Sequence, residues 1–303
     1  MEFLMTVDVE SFSIHLNRCD ISTGRRVYEE GLPSLLDLFA KHDTKATFYF
    51  TGEITEMFPE SIEIVIDHDH EVGCHGFDHT PDRAFDNLPY DEQVKELKRA
   101  KETIEDIAGR IRSFRAPMLR INEDTVRALE ATGFTSDSSI CSQRFDGPLT
   151  FGSRKKLKWL FAPRKPYFLS YNSLIRSGNS NILEIPISAV IIPFIGTTMR
   201  IFPKLIRIVQ KFIFVESKRT GKPVVFLFHP NECLDVDSDV ITTRRASNFV
   251  EYMFADYLRQ KLKLKNLGRP AICLLDKILK NAKDEGFEFV SVCDYRRRYG
   301  RSV

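Results

Sequence analysis

The sequence predicts an α/β fold built on a mostly parallel sheet, and three observations carry that expectation. Short apolar runs of strand length alternate with amphipathic segments of helical period. The runs are rich in Val, Ile and Phe, as strands covered on both faces should be. One run after another also stops on an ionisable residue, and the carboxyl ends of parallel strands are where the following loops converge. The chain has 303 residues, 43% of them hydrophobic and 24 of them Phe, which is ample for a large core. Barrels of this class reach that length as one unit, so residues 1–303 read as one domain, with an insertion or long loop at about 144–180.

Phe3-Leu4-Met5-Thr6-Val7-Asp8-Val9-Glu10 opens the chain as an apolar strand that stops on two carboxylates. Side chains two apart on a strand share a face, so Asp8 and Glu10 look into the same space. Two such acids resist joint ionisation unless something positive sits between them. Ser34–Lys41 has apolar residues at helical spacing, and Lys45–Phe50 reads as the next strand. A helix over Pro59–Asp67 leads to a short strand, His70–Cys74, that stops at His75. Tyr90–Ala108 is a charged helix with Val94, Leu97, Ile104 and Ile107 as its apolar stripe. The strand Ile111–Phe114 then stops at Arg115. Asn122 caps a helix through Glu130 that ends before Gly133. Phe134–Asp137, Asn181–Pro186 and Val224–Phe228 are further strands, the last ending at His229. Leu274–Lys283 is a helix, and Phe287–Val292 closes the fold.

A net charge of +2 lacks the basic field that nucleic-acid binding needs. No uninterrupted apolar run reaches membrane-spanning length, and no signal peptide precedes the first strand. The six cysteines, Cys19, Cys74, Cys141, Cys233, Cys273 and Cys293, form no C-x-x-C pair. Free thiols in a reduced, cytoplasmic protein are the expectation.

The strand ends supply the chemistry: Asp8 and Glu10, His75, Arg115, Asp137 and His229. His79 follows His75 by four residues, a spacing that puts both imidazoles on one side of a helix or compact turn. Two histidines and a carboxylate suit a catalytic divalent metal with positions left open.

These residues resemble the motifs of the polysaccharide deacetylase family (carbohydrate esterase family 4, with the NodB-homology fold). The resemblance rests on Thr6-Val7-Asp8-Val9-Glu10, His75-x-x-x-His79, Phe114-Arg115-Ala116-Pro117 and Phe226-Leu227-Phe228-His229-Pro230, in that order. The D-V-E form, with Asp137-Ser138-Ser139 and Leu183-Glu184-Ile185-Pro186, looks most like a cytoplasmic branch that contains sugar deacetylases. The resemblance implies a distorted (β/α) barrel of about seven parallel strands. It also implies a metal-dependent hydrolase that removes an acetyl or formyl group from the nitrogen of a sugar or glycan precursor. In that mapping Asp8 is the base, Arg115 its positioning partner and His229 the acid. Glu10, His75 and His79 hold the metal, Zn2+ first, with Co2+, Mn2+, Fe2+ or Ni2+ as the other candidates. Asp137 and Glu184 are both candidates to support His229. The substrate would be an N-acylated sugar, a nucleotide-sugar or a lipid-linked glycan, with no role for nucleic acid. Hydrolysis of a small non-sugar amide, or a silent barrel that only binds glycan, are the competing readings.

Two stretches lie outside these motifs. Residues 154–165 interleave basic and aromatic side chains, including the only Trp, and 202–213 form an apolar segment with Lys204, Arg207 and Lys211 along one side. They suggest a surface that meets an anionic substrate or a membrane periphery.

Overall fold

The computed structural model describes residues 1–144, 154–235 and 258–300. Its frame is seven parallel strands: β1 (Glu2–Val9), β2 (Ala46–Phe50), β3 (Glu71–Cys74), β4 (Ser113–Phe114), β5 (Ser136–Asp137), β6 (Leu183–Glu184) and β7 (Val224–Phe228). They lie side by side in the order β7-β1-β2-β3-β4-β5-β6, every neighbouring pair parallel. The sheet curls. The segment after β6 returns to β7, where the Ser188 N–H donates to the Val225 carbonyl at 3.1 Å, the Val225 N–H donates to Ser188 Oγ at 3.0 Å, and Ile195 bridges Leu227. The expected distorted parallel barrel is therefore what the chain forms.

Burial explains why these runs are strands. β2 and β7 are buried at all five positions, and β1 is buried from Phe3 to Val9. Along β1 the pleat sends Phe3, Met5, Val7 and Val9 one way and Thr6 and Asp8 the other. Phe3 meets the rings of Phe214, Phe287 and Phe289 on the outer layer. Thr6 and Asp8 point at Arg115 inside the barrel.

The long helix falls at Tyr90–Ala108, as its stripe predicts, with Leu97, Ala100 and Ile104 buried. The last helix of the core is longer than expected, Arg269–Asp284, because its first turn starts on Arg269-Pro270 directly after Gly268, whose φ is +66°. Of the closing run Phe287–Val292, only Glu288–Phe289 pairs as strand, against the start of β1. Val292–Gly300 is instead a helix, with Val292 and Tyr295 facing inward.

Within the stretch expected as an insertion, residues 145–153 lie outside the described residues. The rest is structured. Arg154–Phe161 is a 3₁₀ helix that buries Trp159 and exposes Phe161. Tyr167–Ser170 and Ser173–Ser177 form a hairpin whose first strand pairs antiparallel with β6. Among the described residues no helix is long and apolar enough to cross a membrane. All six cysteines are free thiols.

Asn122 caps the helix Glu123–Ala131 in a reciprocal box: its Oδ1 accepts from the Thr125 N–H at 3.2 Å, and its own N–H donates to Thr125 Oγ1 at 3.2 Å. Its amide also donates to the Phe85 carbonyl at 3.1 Å, and its oxygen accepts from Gln93 Nε2 at 2.9 Å. Asn122→Ala removes the cap and strands part of this buried network. Urea unfolding should show a loss of about 1–2 kcal/mol with an unchanged m-value.

Candidate active site

The strand ends deliver their ionisable residues to one place. Arg115, just past β4, is fully buried, so its charge and donors must be met inside the barrel. Its Nη1 donates to Asp8 Oδ1 and to Thr6 Oγ1, both at 2.9 Å. Its Nε donates to the Ser138 carbonyl at 2.9 Å and its Nη2 to Ser138 Oγ at 2.8 Å. The Thr6 hydroxyl is free to accept because its own proton goes to the Phe226 carbonyl at 2.7 Å. The guanidinium also lies over the Tyr49 ring, 4.6 Å from its centroid.

Asp8 is thereby anchored through one oxygen. The other, Oδ2, lies 3.7 Å from His75 Nε2 and 3.9 Å from His229 Nε2. Asp8 pairs in register with Tyr49, so the strand itself sets its height.

Glu10, His75 and His79 converge beside it, with ligand atoms all within 4.8 Å of one another. Glu10 Oε2 lies 3.1 Å from His79 Nε2 and 3.6 Å from His75 Nε2. The two histidines do not share a helix. They flank a loop that Gly76 turns at φ +72°, a left-handed conformation that side chains resist. An added Cβ there would also sit 3.0 Å from the Pro117 ring. The spacing of four is therefore met by a turn.

This donor set fits a divalent cation. Glu10 Oε2 is buried and has no hydrogen-bond donor. His75 Nδ1 lies 2.8 Å from the Arg115 carbonyl, which can only accept, so Nδ1 carries the proton and Nε2 turns its lone pair towards the acids. Electron-rich atoms this close need positive charge among them. Burial alone would raise the Glu10 carboxyl, but the charge of His79, the His75 ring 3.6 Å away and the charge of His229 hold it at about 2. Burial also works against His75, yet Asp8 and Glu10 keep its pKa above the ordinary value. At His79 burial wins and the pKa falls.

His229, just past β7, is partly exposed at the rim. Neither Asp137 nor Glu184 lies within ion-pair reach of it; the acid on its far nitrogen is Glu232, with Oε1 4.0 Å from Nδ1. Glu232 is itself buried and accepts from Thr197 Oγ1 at 2.9 Å and Arg200 Nη2 at 3.2 Å. The signal that could have found it is the spacing His229-Pro-Asn-Glu232 on a tight turn.

Asp137 and Glu184 turn to each other instead. Both are fully buried on adjacent strand ends, β5 and β6, in register. Asp137 Oδ1 accepts from Ser139 Oγ at 2.5 Å, and Ser139 Oγ accepts from the Ala116 N–H at 2.9 Å. Glu184 Oε1 accepts from the Ile140 N–H at 3.0 Å. The remaining oxygens, Asp137 Oδ2 and Glu184 Oε2, have no donor, so a proton shared between the two carboxyls satisfies both. Burial pushes Asp137 up to about 6, and burial with the neighbouring Asp137 charge pushes Glu184 well above its usual range.

These features define a class: a parallel α/β barrel with an acid-histidine cluster and a separately anchored carboxylate at the carboxyl ends of its strands. Residues 20–136 match the family model described as Polysaccharide deacetylase, a span that includes His75, His79 and Arg115. A peptidoglycan deacetylase of Helicobacter pylori is 34% identical over 127 residues, 42% of either chain. The chain spans about half or less of the length of the curated relatives it matches. Two solved chains carrying the polysaccharide deacetylase name share the fold at a TM-score of 0.63. The one from Mycobacterium smegmatis is 18% identical, over 98% of this chain and 90% of that one, and the one from Pseudomonas aeruginosa PAO1 is 15% identical, over 99% and 90%. A CE4 family pseudoenzyme from Bacillus anthracis has a TM-score of 0.50 at 13% identity, covering 97% of this chain and 65% of that one. The chain is thus similar to polysaccharide deacetylases over part of its length.

The acid pair makes a pH prediction. Both carboxyls titrate higher folded than unfolded, so between the ordinary carboxylate range and about pH 6 or above the folded state holds more protons. The stability this contributes is present at low pH and is lost as pH rises through that window. Glu184→Gln supplies an amide donor to Asp137 Oδ2 and removes one titrating group. Urea unfolding from pH 4.5 to 8 should show a shallower loss for the variant; a slope equal to that of the parent refutes the shared proton.

Proposed function

We propose that the protein is a metal-dependent hydrolase that removes the acetyl group from an N-acetylated sugar of a glycan or glycan precursor. One observation carries the reading: Asp8 is anchored to Arg115 through one oxygen and presents the other between His75 and His229. A structural ion pair would gain nothing from a second oxygen flanked by two imidazoles. The curated relative from Helicobacter pylori, a peptidoglycan deacetylase by name, supports an N-acetylated glycan as the substrate class. The finer choice, a nucleotide-sugar or a lipid-linked glycan, is part of the proposal.

Glu10, His75 and His79 would hold the cation, Zn2+ first by the donor types. When bound it supplies a Lewis acid that polarises the acyl carbonyl and makes water more acidic. Asp8 Oδ2 takes the proton of the attacking water, whose oxygen forms the new bond to the carbonyl carbon. Arg115 holds Asp8 in position through a 2.9 Å hydrogen bond while this happens. The C–N bond then breaks, and the departing amine needs a proton because an amide anion is a very poor leaving group. His229, 3.9 Å from Asp8 Oδ2, supplies it, with the Glu232 carboxylate 4.0 Å from its other nitrogen. A fold neighbour named as a pseudoenzyme shows that the fold alone does not secure turnover. Asp8 lies within 2.9 Å of Arg115 and 3.9 Å of His229 here, which supports catalysis over silent binding.

Acetate release from chito-oligomers, peptidoglycan fragments and UDP-N-acetylhexosamines should stop on chelation and return with added Zn2+ or Co2+. Asp8→Asn should keep the metal but lose about 10²–10⁴-fold in single-turnover rate, since an amide cannot take the proton. Glu10→Gln should instead lose metal affinity, with activity partly recovered at high metal concentration. Full activity in protein shown by elemental analysis to be metal-free would overturn the mechanism, and an empty site in Asp8→Asn would exchange the two roles.

A further inference from the structure

The helix Pro203–Thr220 carries two apolar faces where a surface helix needs one. Its inner face, Ile206, Val209, Ile213 and Phe214, packs on the barrel. On the outer side Leu205, Ile208, Phe212 and Val215 are 39–62% exposed, and Phe202, at the residue before the helix, is 43% exposed. At about 100° per residue the four helical positions fall within roughly 80° of the circumference, one continuous stripe. Scattered exposed apolar residues are ordinary, whereas an aligned row of large ones marks a contact surface.

The charges beside the stripe are of one sign. Lys204, Arg207, Lys211 and Lys218 follow its edge, and Arg219 ends it, all exposed. Among the described residues Lys204, Arg207, Lys211 and Arg219 have no ion pair, while Lys218 pairs with Glu285. The one acid in the helix, Glu216, is already engaged by Arg164 at 2.5 Å and Lys222 at 3.1 Å. A second copy laid on this face would bring cations against cations, because the helix offers no free acid to receive them. A surface that takes both the apolar row and the cations must be apolar inside and anionic outside, which describes a bilayer with acidic headgroups.

We propose that the outer face of this helix docks the protein on an anionic membrane surface, with the apolar row below the headgroups and the basic row among them. The helix leads directly through Gly221 into β7, so it runs back along the barrel wall and its first turn lies at the end where the strands deliver their catalytic residues. Arg200, just ahead of that turn, donates to Glu232, the neighbour of His229. Docked along this helix, the barrel lies on its side with its mouth at the lipid-water boundary, within reach of a membrane-attached glycan. That consequence rests on the deacetylase reading; the docking itself does not.

Vesicle co-sedimentation of the full chain tests it, with phosphatidylcholine alone against equal parts of phosphatidylcholine and phosphatidylglycerol. Binding should be at least about tenfold stronger to the anionic vesicles and should weaken with salt. The pair Ile208→Ser with Phe212→Ser, and separately the triple Lys204→Gln, Arg207→Gln, Lys211→Gln, should each cut binding by about tenfold or more. Both sets are exposed, so thermal unfolding and acetate release from a soluble oligosaccharide should stay at the parent level. Phe212→Trp should shift its emission to the blue on anionic vesicles. Equal binding to both vesicle types, or none, overturns the proposal. So does a dimer in sedimentation equilibrium that the serine pair dissolves, which would assign the face to a second copy. Loss of acetate release with vesicle binding intact would count against the deacetylase reading and leave the docking standing.

Discussion

The rest of the site depends on the burial of the Arg115 guanidinium. A charge with no access to water must find its partners inside, and breaking such a pair typically costs about 3–5 kcal/mol because the survivor stays buried and uncompensated. Here one partner is the proposed base, Asp8, and the other acceptors, Thr6 and Ser138, come from β1 and from the end of β5. The backbone carbonyl of the same residue fixes the tautomer of His75. One side chain and its own peptide therefore align the Asp8 carboxylate and the His75 imidazole, a candidate metal ligand. Any shift of β4 relative to β1 would misplace both together.

Four of the buried carboxyls at this end of the barrel sort by their surroundings into two kinds. Asp8 and Glu10 face cationic or proton-bearing groups: a guanidinium for the first, two imidazoles for the second. Asp137 and Glu184 face mainly hydroxyls, backbone N–H groups and each other. The first pair is held ready for a cation, and the second retains a proton. Residue type alone cannot separate these outcomes, since each acid ends an apolar strand. The second pair still serves the site: through Ser139 it fixes the N–H of Ala116, next to Arg115.

This is also where reading the sequence reached its limit. The parallel frame was legible because strands covered on both faces leave unbroken apolar runs, and Val224–Phe228 and Tyr90–Ala108 end where their patterns end. Asp8, Glu10, His75, His79, Arg115 and His229 could be named because each follows such a run or a short fixed spacing. The hairpin at Tyr167–Ser177 read as loop, since two short strands rich in Ser, Asn and Arg show little apolar alternation. Glu232 was missed because one acid on a 3₁₀ turn has no periodicity to announce it. Asp137 and Glu184 stay open candidates for supporting His229 in the sequence, because the register of β5 and β6 that brings them together leaves no local signal.

The first strand is flanked by partners made at very different times. β1 pairs on one side with β2, about forty residues on, and on the other with β7, some 220 residues later. During synthesis one edge of this strand must therefore wait, unpaired, until some 220 further residues have left the ribosome. Exposed apolar edges invite pairing with other chains, and slow, long-range closure prolongs the exposure. Neither Asp8 nor His229 has its full set of neighbours until β7 closes the wall.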